Sequence, residues 1–397
     1  MEKHQKHAKL TKPLSGNFSR NEWAIIGTPC GNIQKLAKDL TEKMTPQYKV
    51  AYIDADHKAG DGGGSLPFTF EYTDKIGFHR LDFSAKLTPF QFRSLLNDVD
   101  MALVNGNHFE AKRQIVVLDP KKMESLSRKL NRLTTVDLFL TIADFSSDET
   151  SLRGTKQEGG QIPDFLKNHV INWASIPILN IAETDKIVNF LSAKIQTPTL
   201  KSLILVGGKS TRMGTDKAFL DYHGKPQYAI LADILRGLNI ETFISCREEQ
   251  AAQFTDNHSV ITDTFLELGP FGAILSAFRE DPNAAWLVLA CDLPLLDAET
   301  LQFLIENRNP HLTATSFKSP ESKEGFPEPL IAIWEPRAYP TLLQFLAQGV
   351  SCPRKVLINS EIELLTAPME TALMNVNTPE ERASVENHKN PKISLYP

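Results

Sequence analysis

Cysteine is scarce and scattered. The chain of 397 residues holds 4, at Cys30, Cys246, Cys291 and Cys352, and no two form a C-x-x-C pair. That spacing argues against a zinc site and against a disulfide framework, and it fits the reducing cytoplasm. Long apolar runs are missing too: none reaches the roughly 18 residues that cross a bilayer, so no membrane partner is expected. Net charge is only −5, which offers no basic field for nucleic acid. Repeats and low-complexity tracts are absent. The basic opening "MEKHQKHAKLTK" is followed by no apolar stretch of the kind a signal peptide carries, and residues 1–20 read as a flexible tail.

What remains is the composition of a soluble globular protein, with 41% hydrophobic and 23% charged residues. The length suits two ordinary domains. From Trp23 the chain alternates strand and helix: "WAIIG", "NIQKLAKDLTEKM", "KVAYID", then a loop at "AGDGGGSLP". Further strands are expected at "MALVNG", "RQIVVLD", "TVDLFLTIA" and "IPILNI", with a helix over "PKKMESLSRKLNRL". This rhythm predicts a parallel α/β domain over 21–195. After the joint "QTPTLK" it restarts at "SLILVGG", giving a second α/β domain over 199–390. Strands are expected there at "ETFISC", "VITD", "AWLVLACD", "LTATSF" and "PLIAIW". Helices are expected over Pro226–Leu238, "GPFGAILSAF" and "AETLQFLIENR", with one more beginning near Glu335.

The densest chemistry follows the first strand of the second half, in "GGKSTRMGTDKAFL". Paired glycines let a strand end turn tightly and let a ligand approach the main chain without meeting a Cβ. N–H groups exposed there attract anions. Arg212 can fork two hydrogen bonds onto a phosphate and Lys217 adds a mobile point charge. The alternative is a surface turn that is merely basic. It is not a P-loop, because G-x-x-x-x-G-K-[ST] is absent.

The stretch "LVGGKSTRMGTDKAFLDYHGKPQ" resembles the signature of the molybdenum cofactor guanylyltransferases, the MobA family, whose pattern is L-A-G-G-x-S-x-R-M-G-x-D-K followed by G-x-P. Val206 stands where the family has alanine. The resemblance continues through "DTFLELGPFGAILSAF", "ACDLPLLD", "PEPLIAIW" and "MNVNTPEE". It implies a Rossmann-like nucleotidyltransferase fold, GTP as donor, Mg²⁺ as cofactor, and molybdopterin or Mo-molybdopterin as acceptor. Carried over residue by residue, it implies nucleotide binding by Leu205, Val206, Gly207, Gly208, Ser210, Gly214, Lys217 and Asp263. It further implies catalysis by Arg212, Lys217 and Asp292, and acceptor contacts at Gly272, Asn375 and Asn377.

The residues support parts of this independently. Asp292 ends the apolar "AWLVLAC", where open parallel sheets place ligands, and Mg²⁺ needs only one or two carboxylates beside a triphosphate. A helix cap is the other reading for Asp292, although Asp297 is better placed for that role. Asp263 is a metal- or guanine-side acid or a turn former. "GPFGAIL" is a helix start whose amino end could also face a phosphate. "NTPEE" reads as a helix entry capped by Thr378 with Pro379 at its first position, which competes with a ligand role for Asn377. Arg354 is a further cation for the site or a solvated surface charge. The glycine pair at 207 and 208 leans toward GTP, because the related cytidylyltransferases tend to carry A-A-G there; a CTP-dependent enzyme is the runner-up.

The first half resembles the MobB family, the small P-loop GTP-binding adaptors of the same pathway, through "WAIIGTPCGNIQKLAKDL", "KVAYIDADHKA" and "DMALVNGNHFEAKRQIVVL". Its loop is degenerate. Only Thr28, Pro29 and Cys30 separate Gly27 from Gly31, Asn32 stands at the lysine position, Ile33 at the hydroxyl position, and Asn105 where the family has Glu. The phosphate cation and the Mg²⁺ ligand are lost together. This predicts no GTP hydrolysis there, and a module that faces partners such as molybdoenzymes or cofactor-biosynthesis proteins. An unrelated α/β domain is the competing expectation for this half; for the chain as a whole the competing expectations are another nucleotidyltransferase or a non-catalytic molybdenum cofactor carrier.

Overall fold

The computed structural model describes residues 16–55, 69–142, 162–206, 225–254, 258–320 and 322–375. The chain divides into two units, Met1–Gln196 and Thr197–Pro397. The loop expected over "AGDGGGSLP" lies outside the described residues.

The first unit runs β1 (Glu22–Ile26), α1 (Cys30–Met44), β2 (Val50–Ile53), β3 (Phe70–Lys75), β4 (Phe78–Phe83), α2 (Pro89–Leu95) and β5 (Met101–Asn105). It continues with β6 (Arg113–Leu118), α3 (Met123–Ser127), β7 (Val136–Thr141), α4 (Asp164–His169), β8 (Ile178–Asn180) and α5 (Thr184–Lys194). Six strands form one parallel sheet in the order β2-β5-β1-β6-β7-β8. Strands β1, β5 and β6 are apolar runs with both faces covered, the pattern of a parallel sheet. Helix α1 buries Ile33, Leu36, Ala37, Leu40 and Met44, one stripe at helical spacing.

Glu22 is the exception in β1. Its carboxylate is fully buried and accepts backbone N–H bonds from Asn17 at 3.1 Å, Phe18 at 2.7 Å, Ser19 at 3.2 Å and Lys112 at 2.7 Å. A buried carboxylate is tolerated where its lone pairs are satisfied this fully.

The link from β5 to β6 is residues 106–112, with no helix in it, although parallel strands usually need a crossover of a dozen residues or more. It passes over β1, which lies between them in the sheet. Phe109 and Ala111 pack there against Ala24, Ala102 and Val104. The approach is close: a Cβ on Gly106 would sit 2.8 Å from Ile26 Cβ and 2.9 Å from Ile25 O.

One expectation fails in this unit. The helix over "PKKMESLSRKLNRL" is broken into a 3₁₀ turn at Pro120–Lys122, the short α3, and a second 3₁₀ turn at Leu130–Arg132. Cations at Lys121, Lys122, Arg128, Lys129 and Arg132 have a single carboxylate, Glu124, among them, so little i,i+4 support is available. Lys129 and Arg132 instead donate to the carbonyls of Asn107 and Gly106. The antiparallel β3–β4 hairpin was not anticipated; its register places Phe70, Tyr72, Leu81 and Phe83 on one exposed face.

The second unit runs β9 (Leu200–Leu205), α6 (Gln227–Gly237), β10 (Glu241–Cys246), β11 (Ser259–Thr262), α7 (Pro270–Glu280), β12 (Ala285–Ala290) and α8 (Ala298–Glu306). Then follow β13 (Ala314–Lys318), β14 (Pro327–Trp334), α9 (Ala338–Ala347), α10 (Pro353–Ile358) and β15 (Ile362–Leu365). The sheet has seven strands in the order β11-β10-β9-β12-β14-β13-β15. All neighbours are parallel except β14, which runs antiparallel to both β12 and β13. One face packs on α6 and α8 through Leu231, Leu235, Leu301 and Leu304. The other packs on α7, α9 and α10 through Phe271, Phe278, Leu342 and Val356. Arg308 makes a two-pronged pair with the fully buried Glu335, at 2.6 and 2.9 Å, and also donates to Pro198 O. Helix α10 and strand β15 were not read from the sequence.

Candidate functional site

Four strand ends set the geometry of the second unit. At the end of β9, Leu205 pairs with Ser245 of β10 on one side and Ala290 of β12 on the other. Val206 follows, its N–H donating to Ser245 O at 2.9 Å. Asp263 stands one residue beyond β11, and Asp292 two residues beyond β12. With about 4.8 Å between neighbouring strands, β12 is about 5 Å from β9 and β11 about 10 Å away on the opposite side. The two carboxylates therefore flank the point where the chain leaves β9. This is the carboxyl edge of a parallel sheet, where such folds bind ligands.

The loop that leaves β9 is residues 207–224, and Gly207, Gly208, Ser210, Arg212, Gly214 and Lys217 lie outside the described residues, as do Asn377, Thr378 and Pro379. The roles expected of them stay expectations.

Asp263 accepts a hydrogen bond from Ser245 Oγ at 3.0 Å. Burial pushes its pKa above the ordinary carboxylate value, against the opposing effects of the Ser245 hydroxyl and the Arg247 guanidinium. A cation or a further donor at this edge would favour the ionised form. Asp292 has one carboxylate oxygen buried between the buried Cys291 and Leu293. Helix capping is done elsewhere: Asp297 accepts from Thr300 N at 2.8 Å, the arrangement anticipated for it.

Gly272, in the first turn of α7, has a packing reason. A Cβ there would lie 2.2 Å from Phe265 O and 3.2 Å from Leu268 Cβ. Ser276, one turn on, donates to Gly272 O at 2.8 Å and accepts from Thr264 N at 2.9 Å. The segment following Asp263 is thereby clamped to the amino end of α7. Asn375 lies two residues past Leu373, which packs in the same cluster as Val206, Cys291 and Leu293. Arg354 is a partly exposed cation with a carboxylate partner. It pairs with Glu328 at 2.8 Å and donates to Pro327 O at 3.2 Å. Burial raises the Glu328 pKa while Arg354 opposes that shift.

Two contributors escaped the sequence reading. Ser245 looked like an ordinary strand residue; a hydroxyl at the last-but-one position of an apolar strand was the available signal. Gln227 follows the proline of "GKPQ" and is almost fully buried. Its amide nitrogen donates to Leu293 O at 2.9 Å, and its Oε1 has no donor among the described residues.

No group of three or more His, Cys, Asp or Glu side chains is gathered among the described residues. A soft or borderline metal site is therefore not formed by them. The hard oxygens of Asp292 suit Mg²⁺, which takes as few as one carboxylate and completes its shell with phosphates and water. No helix of the described residues is long and apolar enough to cross a membrane.

Residues 202–362 match the family model described as a MobA-like NTP transferase domain. A molybdenum cofactor guanylyltransferase of Pseudomonas putida is 31% identical over 186 residues, which is 46% of this chain and 95% of that protein. The chain belongs to the molybdenum cofactor guanylyltransferase family. Membership rests on the second unit, and the edge carrying Asp263, Val206 and Asp292 falls inside the matched residues. A molybdenum cofactor biosynthesis bifunctional protein of Synechocystis sp. is 32% identical over 191 residues, covering 48% of this chain and 54% of that protein. The chain thus spans about half of that relative's length. Molybdopterin-guanine dinucleotide biosynthesis protein A from Archaeoglobus fulgidus is a solved structure 23% identical, covering 47% of this chain and 97% of that one, with a TM-score of 0.39.

Proposed function

We infer that the second unit transfers GMP from GTP to the terminal phosphate of molybdopterin or Mo-molybdopterin, forming the guanine dinucleotide and releasing pyrophosphate. One observation carries the reading: Asp292 follows the strand beside β9, at the carboxyl edge from which the "GGKSTRMGTDK" segment departs. A hard carboxylate next to a basic, glycine-rich strand exit is the equipment for a metal-complexed triphosphate.

In this reading the main chain at Gly207 and Gly208 admits the nucleotide, and Arg212 and Lys217 neutralise its phosphates. Asp292 holds Mg²⁺, which when bound adds charge neutralisation at the phosphate oxygens. Asp263, tethered by Ser245, lies on the flank where the guanine would lie. Asn375 and the first turn of α7 belong to the acceptor side. The attacking phosphate monoester is already largely ionised near pH 7, so no strong general base is needed. Alignment and electrostatics supply the rate. The scattered cysteines fit a cytoplasmic setting. The first unit, with its lysine-less loop, serves as a partner-facing module that does not hydrolyse GTP.

The test is pyrophosphate release by the full chain with GTP, CTP, ATP or UTP, with and without molybdopterin. GTP with acceptor is expected to dominate, and Asp292→Asn to lower that rate by about 10²-fold or more. A preference for CTP would establish the cytidylyltransferase alternative. Dinucleotide formation untouched by Asp292→Asn would end the metal assignment.

A further inference from the structure

The degenerate loop of the first unit holds a different kind of chemistry. Cys30 is the first residue of the 15-residue α1 and its thiol is exposed. Its sulfur lies 3.2 Å from Nε2 of His108, in the strap that leaves β5. Asn107 Nδ2 donates to the same sulfur at 3.5 Å and to Thr28 O at 2.9 Å, which fixes the strap over the loop. Lys129 Nζ reaches Asn107 O at 3.4 Å and Asn107 Oδ1 at 3.3 Å. Lys129 is close enough for a charge on Cys30 to act on it. Tyr52 is also within electrostatic reach of the thiol, and its hydroxyl bonds to Asp54 at 2.7 Å.

These groups come from separate elements: a helix start, the β5 exit and the segment after α3. Together they are the surroundings of an activated nucleophile: an imidazole base in contact, a lysine nearby, the positive end of a helix, and exposure to solvent. The other three thiols do not combine them, although Cys352 is also at a helix amino end, that of the six-residue α10. Cys246 and Cys291 are buried, and burial pushes the Cys246 pKa up to about 11. Cys352 is exposed, with no imidazole or amide on its sulfur among the described residues.

We propose that Cys30 and His108 form a nucleophilic thiol–imidazole pair, a covalent modification site for low-molecular-weight disulfides and alkylating electrophiles, built where the phosphate loop has lost its lysine. With a small disulfide, Cys30 Sγ forms a bond to one disulfide sulfur as the original S–S bond breaks. The departing thiolate takes the proton that His108 received from the thiol. Sulfur oxidation state is conserved across the exchange, and no further oxidant is required.

The probes are iodoacetamide and oxidised glutathione, applied to the full chain near pH 7, with the labelled cysteines located by peptide mass. Cys352 is the internal control. Cys30 is expected to react about tenfold faster than Cys352 or more, since a base in contact with the thiol can take its proton as the sulfur attacks. Oxidised glutathione should give a single adduct at Cys30. His108→Ala should bring Cys30 down to the Cys352 rate while leaving Cys352 itself unchanged. Equal rates at the two exposed thiols in the unaltered chain would overturn the proposal whatever the variants do. So would a Cys30 rate indifferent to His108→Ala.

Discussion

Changing Gly272 to Ala separates two reasons for a glycine at the start of α7. The packing reason is quantitative. The added Cβ would stand 2.2 Å from the backbone oxygen of Phe265, about 1 Å inside ordinary contact, and a carbonyl cannot rotate away as a flexible side chain can. Such overpacking costs about 1–3 kcal/mol. Alanine returns at most about 1 kcal/mol of helix propensity, and less at a helix's first turn. The net expectation is a loss of about 1–2 kcal/mol. For a folding unit of this size that lowers Tm by roughly 2–8 °C. Urea and thermal unfolding of the full chain, followed by tryptophan fluorescence, would read it, because Trp286 and Trp334 are both in the second unit's core. Pyrophosphate release measured well below the new Tm should fall as well, since the clamp positions the segment after Asp263. A variant with unchanged or higher Tm would refute the packing argument. If such a variant also lost turnover with molybdopterin, the glycine would be serving the acceptor directly.

The buried Arg308–Glu335 pair gives a larger effect. Arg308→Met is expected to destabilise the second unit by about 3 kcal/mol at neutral pH, because it leaves the buried Glu335 carboxylate only the weaker influence of Arg337 and His311. The further change Glu335→Leu should recover much of that loss, as read by urea midpoints. Burial already holds the Glu335 pKa above its ordinary value, so its contribution to stability is full below the unfolded value and is lost as pH rises through the folded one. Arg308→Met raises the folded value further, so its penalty should shrink on acidification toward pH 5. Ser245→Ala removes a hydroxyl that lowers the already raised Asp263 pKa. The same sign applies: a cost of about 1–2 kcal/mol at pH 8, smaller at pH 4, in urea midpoints taken at both values.

Most of the fold is legible because hydrophobic patterning dominates it. Runs such as "AWLVLA" and "RQIVVL" can only be covered strands, and the stripe from Ile33 to Met44 can only be a helix face. What patterning misses is decided by contacts distant in sequence. The broken helical segment at 120–132 depends on carbonyls at 106 and 107. The reversed strand β14 reads like its parallel neighbours, because a buried strand looks the same in either direction. At the candidate site, Asp263 and Asp292 stand where strand-end reasoning puts them, and Asp297 takes the cap. The tether from Ser245 and the buried amide of Gln227 arise from contacts between separate elements, which no local pattern encodes. Arg354 was legible as a cation, but its partner Glu328 was visible only in three dimensions.

The short strap from β5 to β6 is anchored at each end. It brings the chain back from the level of Ile25, which pairs with Asn105, to that of Trp23, which pairs with Arg113. At one end Asn107 and His108 meet the loop before α1; at the other, the Lys112 amide is held by Glu22. A segment held at two posts loses its fixed course when either post gives. Disturbing Glu22 would therefore be felt at the imidazole on the far rim of the sheet, and the reactivity of one thiol becomes a gauge of how firmly the opposite rim is tied.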